Sequence, residues 1–485
     1  MLESFPPGRP VLCDGSNEFD ATALAQRVSG LCAAFQARRA PLAPVAILAD
    51  NSPEWLAADL ATQELGLTLV PLPLFFTPAQ WAHVLRESGA SAVLAPAGAS
   101  LGALGFGEPI QSGGPLLLYQ AADSPHQRGL ADTQKITFTS GTTAAPKGVC
   151  LSTAQQWELA RALKQGVAQL HLERHLCLLP FAVLLENISG PYTAMLSGAT
   201  TICPPLAEVG MAGASQFDPQ RCLDAIARYQ AQSIIVLPQM LQAILGALAP
   251  DDSRTASLRF IAVGGAKVPA RLLAAAHARG LPVFEGYGLS ECCSVVALNL
   301  PGSERNGSVG KPLPHRPVRI AADGEIEVGG ALAHYLGMAP NHAGWLATGD
   351  LGHLDPDGYL YIDGRKKDIL ITSFGRNVSP EWPEAALLGT GLLAQALVIG
   401  DGRPWLSALL VPARPELTSA QIQQAVDLAN QELPDYAQIR RWTSVPPFTP
   451  QNGQATPNGR PRRAAIQQQL AGLINSMYDH QEQTA

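Results

Sequence analysis

The sequence predicts an α/β fold: a large N-terminal domain of helix-covered, mainly parallel sheets, then a smaller α+β C-terminal domain. Three observations lead there. Apolar strand-like runs alternate with helix-patterned stretches for most of the chain, which is the pattern of parallel sheets covered by helices. The 485 residues are too many for one ordinary core. The alternation breaks near "YIDGRKKDILI", where turn residues and charges cluster, and a smaller unit follows. A boundary there divides residues 1–363 from 364–485.

The elements follow in order. "APVAILAD" reads as a buried strand. "SPEWLAADLATQELG" is a helix, with Ser52 as N-cap, Pro53 at the first helical position and Gly66 as the stop. "TLVPLPL" resumes as strand, and residues 96–130, rich in Gly, Pro, Ala and Ser, read as a loose surface excursion. The charge-free stretch after Glu186 has the length of a membrane span, but Gly190, Pro191, Pro204 and Pro205 favour a buried core segment. "SIIVLP" leads into the helix "QMLQAILGAL", and "LRFIAVGG" into "PARLLAAAHARG". Beyond the boundary, "ALVIG" and "LSALLVP" form a strand pair around "DGRPW". The helical "SAQIQQAVDLANQEL" and the basic "NGRPRRAAI" complete the unit.

Composition narrows the function. Hydrophobic residues at 47% and charged residues at 15% are those of a folded protein. A net charge of -7 argues against a nucleic-acid partner but leaves room for a small anionic substrate in a locally basic site. Eight scattered cysteines without paired CxxC units read as reduced thiols of a cytoplasmic protein. "MLESFPPGRP" lacks the pattern of a signal peptide. No amphipathic anchor stands out, so membrane contact is expected to be peripheral at most. Length and composition leave the oligomeric state open.

The chemistry concentrates in "ITFTSGTTAAPKGV", where Thr139, Ser140, Thr142 and Thr143 surround Gly141, and Lys147 follows Pro146. Glycine permits close backbone approach, N–H groups and hydroxyls supply donors, and lysine supplies charge: a site for polyphosphate. The spacing is not that of the common P-loop, because Gly148 rather than Ser or Thr follows the lysine. On composition alone, a Ser/Thr-rich surface turn reads equally well.

"TSGTTAAPKGV" resembles the phosphate loop of the acyl-adenylate-forming (AMP-binding) enzyme superfamily, with Ala144 in place of a usual glycine. Further segments match in family order. "FEGYGLSECC" resembles the aromatic-Gly-x-Thr-Glu segment. The resemblance implies that Tyr287 packs on adenine beside Gly288, that Ser290 stands for threonine near the phosphates, and that Glu291 holds magnesium. A hard cation of that kind takes carboxylate and phosphate oxygens. "VGGAKVP" resembles the turn lining the adenine pocket, Gly264, Gly265 and Ala266. "GWLATGDLGHLDPDGYLYIDGRKKD" implies ribose contacts from Asp350 and Arg365, and a hinge at Lys367 about which the smaller, mobile domain turns.

The resemblance runs from about Asp14 to Ile466 and is strongest to the long-chain acyl-CoA synthetase branch. Val183 replaces that branch's common histidine, and Phe374 and Arg376 replace its Gly and Lys around the thiol-acceptor turn, Ser373 and Gly375. The family's C-terminal lysine is here Arg460, in "TPNGRPRR", with Arg462 and Arg463 as nearby substitutes. Lysine is a point charge and arginine a planar fork, so charge is kept and geometry is not.

The implied activity is ATP-dependent conversion of a carboxylic acid, on this branch a medium- or long-chain fatty acid, to an acyl-adenylate. Transfer to the thiol of coenzyme A follows. Lys147, Glu291 and Arg460 are the implied catalytic residues, with ATP, Mg2+ and coenzyme A bound. A carrier protein or an amine is the rival acceptor. An adenylation-deficient nucleotide- or acyl-binding protein is the rival from another class, motivated by Arg460, Ala144 and Val183.

Overall fold

The computed structural model describes residues 8–37, 44–112, 114–121, 130, 132–139, 146–213, 216–339, 344–374, 376–456 and 459–478. Two large sheets dominate. One has nine strands. Its centre is parallel and runs through Arg174–Leu176, Ser233–Val236, Phe260–Val263 and Val283–Leu289. The other has eight strands, with Val45–Ile47, Leu69–Pro71, Ala92–Pro96 and Lys135–Thr139 in its parallel part. Both sheets end in antiparallel strands. Parallel centres carry apolar residues on both faces because helices cover them.

The expected helix starts at Pro53, and the Ser52 side chain accepts from Trp55 N–H. That bond satisfies one of the four free donors of the first turn. Gly66 follows with φ +65, a left-handed value that glycine adopts without strain. Ser233–Val236 into Pro238–Ala247, and Phe260–Val263 into Ala270–Ala278, are the strand–helix pairs expected.

One expectation needs correction, and one sheet is an addition. Residues 96–130 are not simply a loose excursion: Leu116–Gln120 pairs antiparallel with Ala92–Pro96, and Ile110–Gln111 pairs with it in turn. An antiparallel sheet of Val318–Ile320, Glu325–Gly329, Trp345–Leu354 and Leu360–Arg365 also lies outside the strand–helix alternation. Its strands mix polar residues with the buried Ile326, Val328 and Leu360, so no continuous apolar run announces them.

The charge-free segment after Glu186 is core. Leu184–Asn187 continues through a π-helical turn, Ile188–Tyr192, into Thr193–Ser197. Pro191 lacks an N–H and would clash with an α-helical carbonyl, and the wider turn accommodates it. Among the described residues no helix is long and apolar enough to cross a membrane. All eight cysteines are free and buried, and burial raises several of their thiol pKa values.

A polar knot crosses this core. Lys135 Nζ lies 2.8 Å from Asp59 Oδ2, and each side chain is 1% exposed. Lys135 also donates to Asn187 Oδ1 at 2.5 Å, and Tyr192 donates its hydroxyl to Asp59 at 2.8 Å. The tie joins the strand Lys135–Thr139 to the helix Pro53–Glu64 and to the Leu184–Asn187 segment.

The C-terminal domain is α+β. Leu393–Ile399 pairs antiparallel with Leu406–Pro412, which pairs parallel with Ile439–Ser444. Glu381–Leu388 and Ser419–Asn430 bury Leu387, Ile422 and Val426 against the sheet. Half-buried Glu384 accepts from Val398 N–H at 2.7 Å and from Arg463 at 2.6 Å. Burial raises its pKa and Arg463 opposes the rise. Arg463 is thereby engaged within its own domain.

Candidate active site

The candidate site gathers where the parallel strands of the nine-stranded sheet end, at the junction with the four-stranded antiparallel sheet. Phe260–Val263 gives way to Gly264, Gly265 and Ala266. A Cβ on Gly264 would stand 3.2 Å from Gly286 O, and Gly265 has φ +85. Both glycines therefore have backbone reasons. Gly288 has a stronger one: a Cβ there would collide with the carbonyl of Ser294, at a register shift between the paired strands. The backbone at Cys293 and Ser294, with φ +65 and +114, is strained just beyond the Ser290–Cys292 turn.

Asp350 is the centre of the cluster. It is buried, and it pairs across strands with Arg365. Arg365 Nε stands 2.8 Å from Asp350 Oδ1, and the Tyr287 hydroxyl donates to Oδ2 at 2.5 Å. Burial raises the Asp350 pKa, while Arg365 and Tyr287 hold it back. Tyr287 thus makes a contact that its motif did not announce: its hydroxyl orients the Asp350 carboxylate. Nearby, burial pushes Glu285 up to about 8, opposed by the Val268 N–H and Lys267. Lys267 donates to Ile362 O at 3.3 Å, and burial lowers its pKa.

Lys147 opens the strand Lys147–Leu151 and pairs with Thr139 across an antiparallel ladder. Ser140, Gly141, Thr142, Thr143 and Ala144 lie outside the described residues, as does Gly375. Glu291 sits in the Ser290–Cys292 turn, where its Oε1 accepts the hydroxyl of Tyr335. Tyr335 is a site residue that sequence reasoning missed.

Arg460 enters from the C-terminal domain. Its Nη2 donates to Gly265 O at 2.6 Å, so the small domain places this guanidinium on the Gly264–Ala266 turn. The side chain is exposed to solvent. Crowding by neighbouring protein and the like charge of Arg365 lower its pKa, while Glu381 and Asp350 oppose this. Lys367 lies in the short turn Lys366–Asp368. Its neighbour Lys366 is held at 2.6 Å by Asp323 and at 2.7 Å by Glu325. Ser373 is exposed, and its N–H donates to Arg403 O at 2.9 Å; Phe374 beside it is 78% exposed. The structure brings Tyr287, Asp350, Arg365 and, through Gly265, Arg460 together, while Ser373 faces its own domain.

Could a cation be held here? Glu291 offers a hard oxygen donor, and among the described residues nothing bonds to its Oε2, which fits magnesium. The buried group His175, Cys177 and Glu186 does not fit a metal. Both Glu186 oxygens are occupied, by His175 at 3.0 Å and by the N–H groups of Leu178 and Leu179. A single Cβ at Gly190 would collide with the same His175 and Glu186 atoms.

Two family models divide the chain. The AMP-binding enzyme model matches residues 3–332, and the AMP-binding enzyme C-terminal domain model matches 367–482. The chain belongs to the AMP-binding enzyme family. A 2-succinylbenzoate–CoA ligase of Bacillus velezensis is 31% identical over 403 residues, covering 79% of this chain and 78% of that protein. A long-chain-fatty-acid–CoA ligase of Mycobacterium bovis is 34% identical over 249 residues, but the match covers 44% of this chain and only 41% of the ligase's length. Among solved structures, an anthranilate CoA ligase in complex with anthranoyl-AMP aligns with a TM-score of 0.79 at 21% identity, covering 98% of this chain and 97% of that one. The fold is an α/β body with a separate C-terminal domain.

Proposed function

We propose that this AMP-binding enzyme is an AMP-forming acid–thiol ligase. The observation that carries the reading is the joint placement of Tyr287, Asp350 and Arg365 with Arg460, delivered from the other domain to Gly265. A ribose diol has two donors, and an ionised carboxylate is a strong acceptor for both. Asp350, held by Tyr287 and Arg365, would receive them. The loop closed by Thr139 and Lys147 would cradle the β- and γ-phosphates.

In the first half-reaction the substrate carboxylate oxygen attacks the α-phosphorus, the bond to the bridging oxygen breaks, and pyrophosphate leaves. A carboxylate is already ionised at neutral pH, so no general base is needed. Magnesium, held by Glu291, would offset charge on the leaving phosphates. Lys147 adds fixed positive charge there, and Arg460 stabilises charge between carboxylate and α-phosphate. In the second, the C-terminal domain turns about Lys367, which withdraws Arg460 and brings the Ser373–Gly375 turn to the acyl-adenylate. A thiol sulfur then attacks the acyl carbon and AMP departs.

Asp350→Ala is expected to weaken AMP binding about tenfold or more, since a hydrogen bond to a charged group is worth about 1.5–3 kcal/mol. Calorimetric titration of AMP measures it, and parent-like affinity would remove Asp350 from the ribose role.

A medium- or long-chain fatty acid with coenzyme A as acceptor is the substrate pair we favour. The fatty-acid ligase match supports the acid, and all three named relatives are CoA ligases. A panel of fatty acids of graded length with aryl acids, each with ATP, Mg2+ and coenzyme A, tests it by product mass. Each buried methylene contributes about 0.8 kcal/mol, roughly fourfold in binding, so a fatty-acid site gives a steep length profile. Thioester from aryl acids alone would overturn the fatty-acid reading, and acyl-AMP accumulating despite coenzyme A would point to a carrier protein or amine.

A further inference from the structure

Tyr335 touches two groups that the proposed chemistry uses, yet no motif names it. Its hydroxyl donates to Glu291 Oε1. Its ring lies beneath Lys147, with Nζ 5.7 Å from the centroid. The contacts come from different parts of the fold. Lys147 begins a strand of the eight-stranded sheet, and Glu291 sits in the turn that interrupts the end of the nine-stranded one.

The backbone holds Tyr335 in place from both sides. His334–Tyr335 pairs antiparallel with Lys147–Leu151, with Tyr335 opposite Val149, and Leu336 N–H donates to Gly148 O at 2.8 Å. On the other side Ala333 N–H donates to Glu291 O at 2.9 Å. Arg316, fully buried, ties the same two segments: it donates to Ala331 O at 2.7 Å and to Cys292 O at 3.3 Å. A buried guanidinium spent on two carbonyls marks a junction whose geometry is held firmly.

We propose that Tyr335 is a positioning residue for the triphosphate–cation end of the site. It rests on the reading of Glu291 as the cation ligand and Lys147 as a phosphate contact. The hydroxyl fixes the rotation of the Glu291 carboxylate through Oε1 and leaves Oε2 directed to the cation. The ring face attracts the Lys147 ammonium and restricts its wandering. One side chain therefore sets the spacing between the negative and positive groups that grip the leaving phosphates.

The test is equilibrium binding without turnover, using Mn2+ read by electron paramagnetic resonance and α,β-methylene-ATP as the nucleotide. Tyr335→Phe keeps the ring and removes the hydroxyl. It should lower Mn2+ affinity in the ternary complex about tenfold and leave metal-free nucleotide affinity unchanged. Tyr335→Leu should weaken metal-free nucleotide binding as well, because the ring contact with Lys147 goes. Glu291→Gln is run beside them, with thermal melting to confirm that each variant is folded. If Glu291→Gln loses Mn2+ affinity and Tyr335→Phe keeps the parent value, the positioning role is wrong and the metal reading stands. If neither variant changes Mn2+ affinity, Glu291 is not the ligand and both fail. Should Tyr335→Leu not fold, the phenylalanine variant decides alone.

Discussion

Arg460→Ala is expected to slow acyl-adenylate formation about a hundredfold, while thioester formation from supplied acyl-adenylate changes little. The magnitude follows from removing one preorganised donor aimed at developing charge, about 2.7–4 kcal/mol. The asymmetry follows from position. Arg460 belongs to the C-terminal domain yet bonds Gly265 O at 2.6 Å on the large domain. In the arrangement with that contact the guanidinium stands near Asp350 and Arg365, where the nucleotide is proposed to bind. The fork explains how arginine can serve where the family has lysine: Nη2 docks on the carbonyl, and the remaining N–H groups stay available for oxyanions. Arg460→Lys should then recover only part of the rate, since a single ammonium cannot dock and reach at once. Single-turnover assays of the two half-reactions separate the effects. Equal loss in both would make Arg460 a general structural residue, and no loss in either would remove it from the mechanism.

Lys135→Met is expected to destabilise the large domain by about 3–5 kcal/mol, because it strands Asp59 as an unpaired charge in the core. The remaining contacts, from Asn187 and Tyr192, do not replace a cation. Lys135→Met combined with Asp59→Leu should regain much of the loss, since replacing both partners by apolar groups is often neutral. Urea unfolding of parent, single and double variants measures this through the transition midpoint. A single variant as stable as the parent would mean that water reaches Asp59. The strand Lys135–Thr139 leads directly into the segment proposed to cradle the phosphates, so the single variant should also weaken nucleotide binding.

What the sequence disclosed depended on range. Ser52, Pro53 and Gly66 encode a helix within a few neighbours, and the structure places its ends there. Gly288 was legible as motif, while its reason, the carbonyl of Ser294 across a strand pair, was not. Leu116–Gln120 was hidden because Gly, Pro and Ser surround it and only its partner, Ala92–Pro96, makes it a strand. Tyr335 gave no signal: it lies in a two-residue strand without periodicity, and its partners stand far off along the chain. Arg460 and Arg463 look alike in "NGRPRR", and only tertiary contacts divide them, one on Gly265 and one on Glu384.

The proposed function rests on adenylation of a carboxylic acid by this chain. Acid-dependent exchange of labelled pyrophosphate into ATP, with Mg2+ and no thiol, measures that step alone. Exchange that requires an acid and falls about a hundredfold in Arg460→Ala is expected. ATP binding without exchange for any acid of the panel would contradict it and leave a nucleotide-binding protein in place of a ligase.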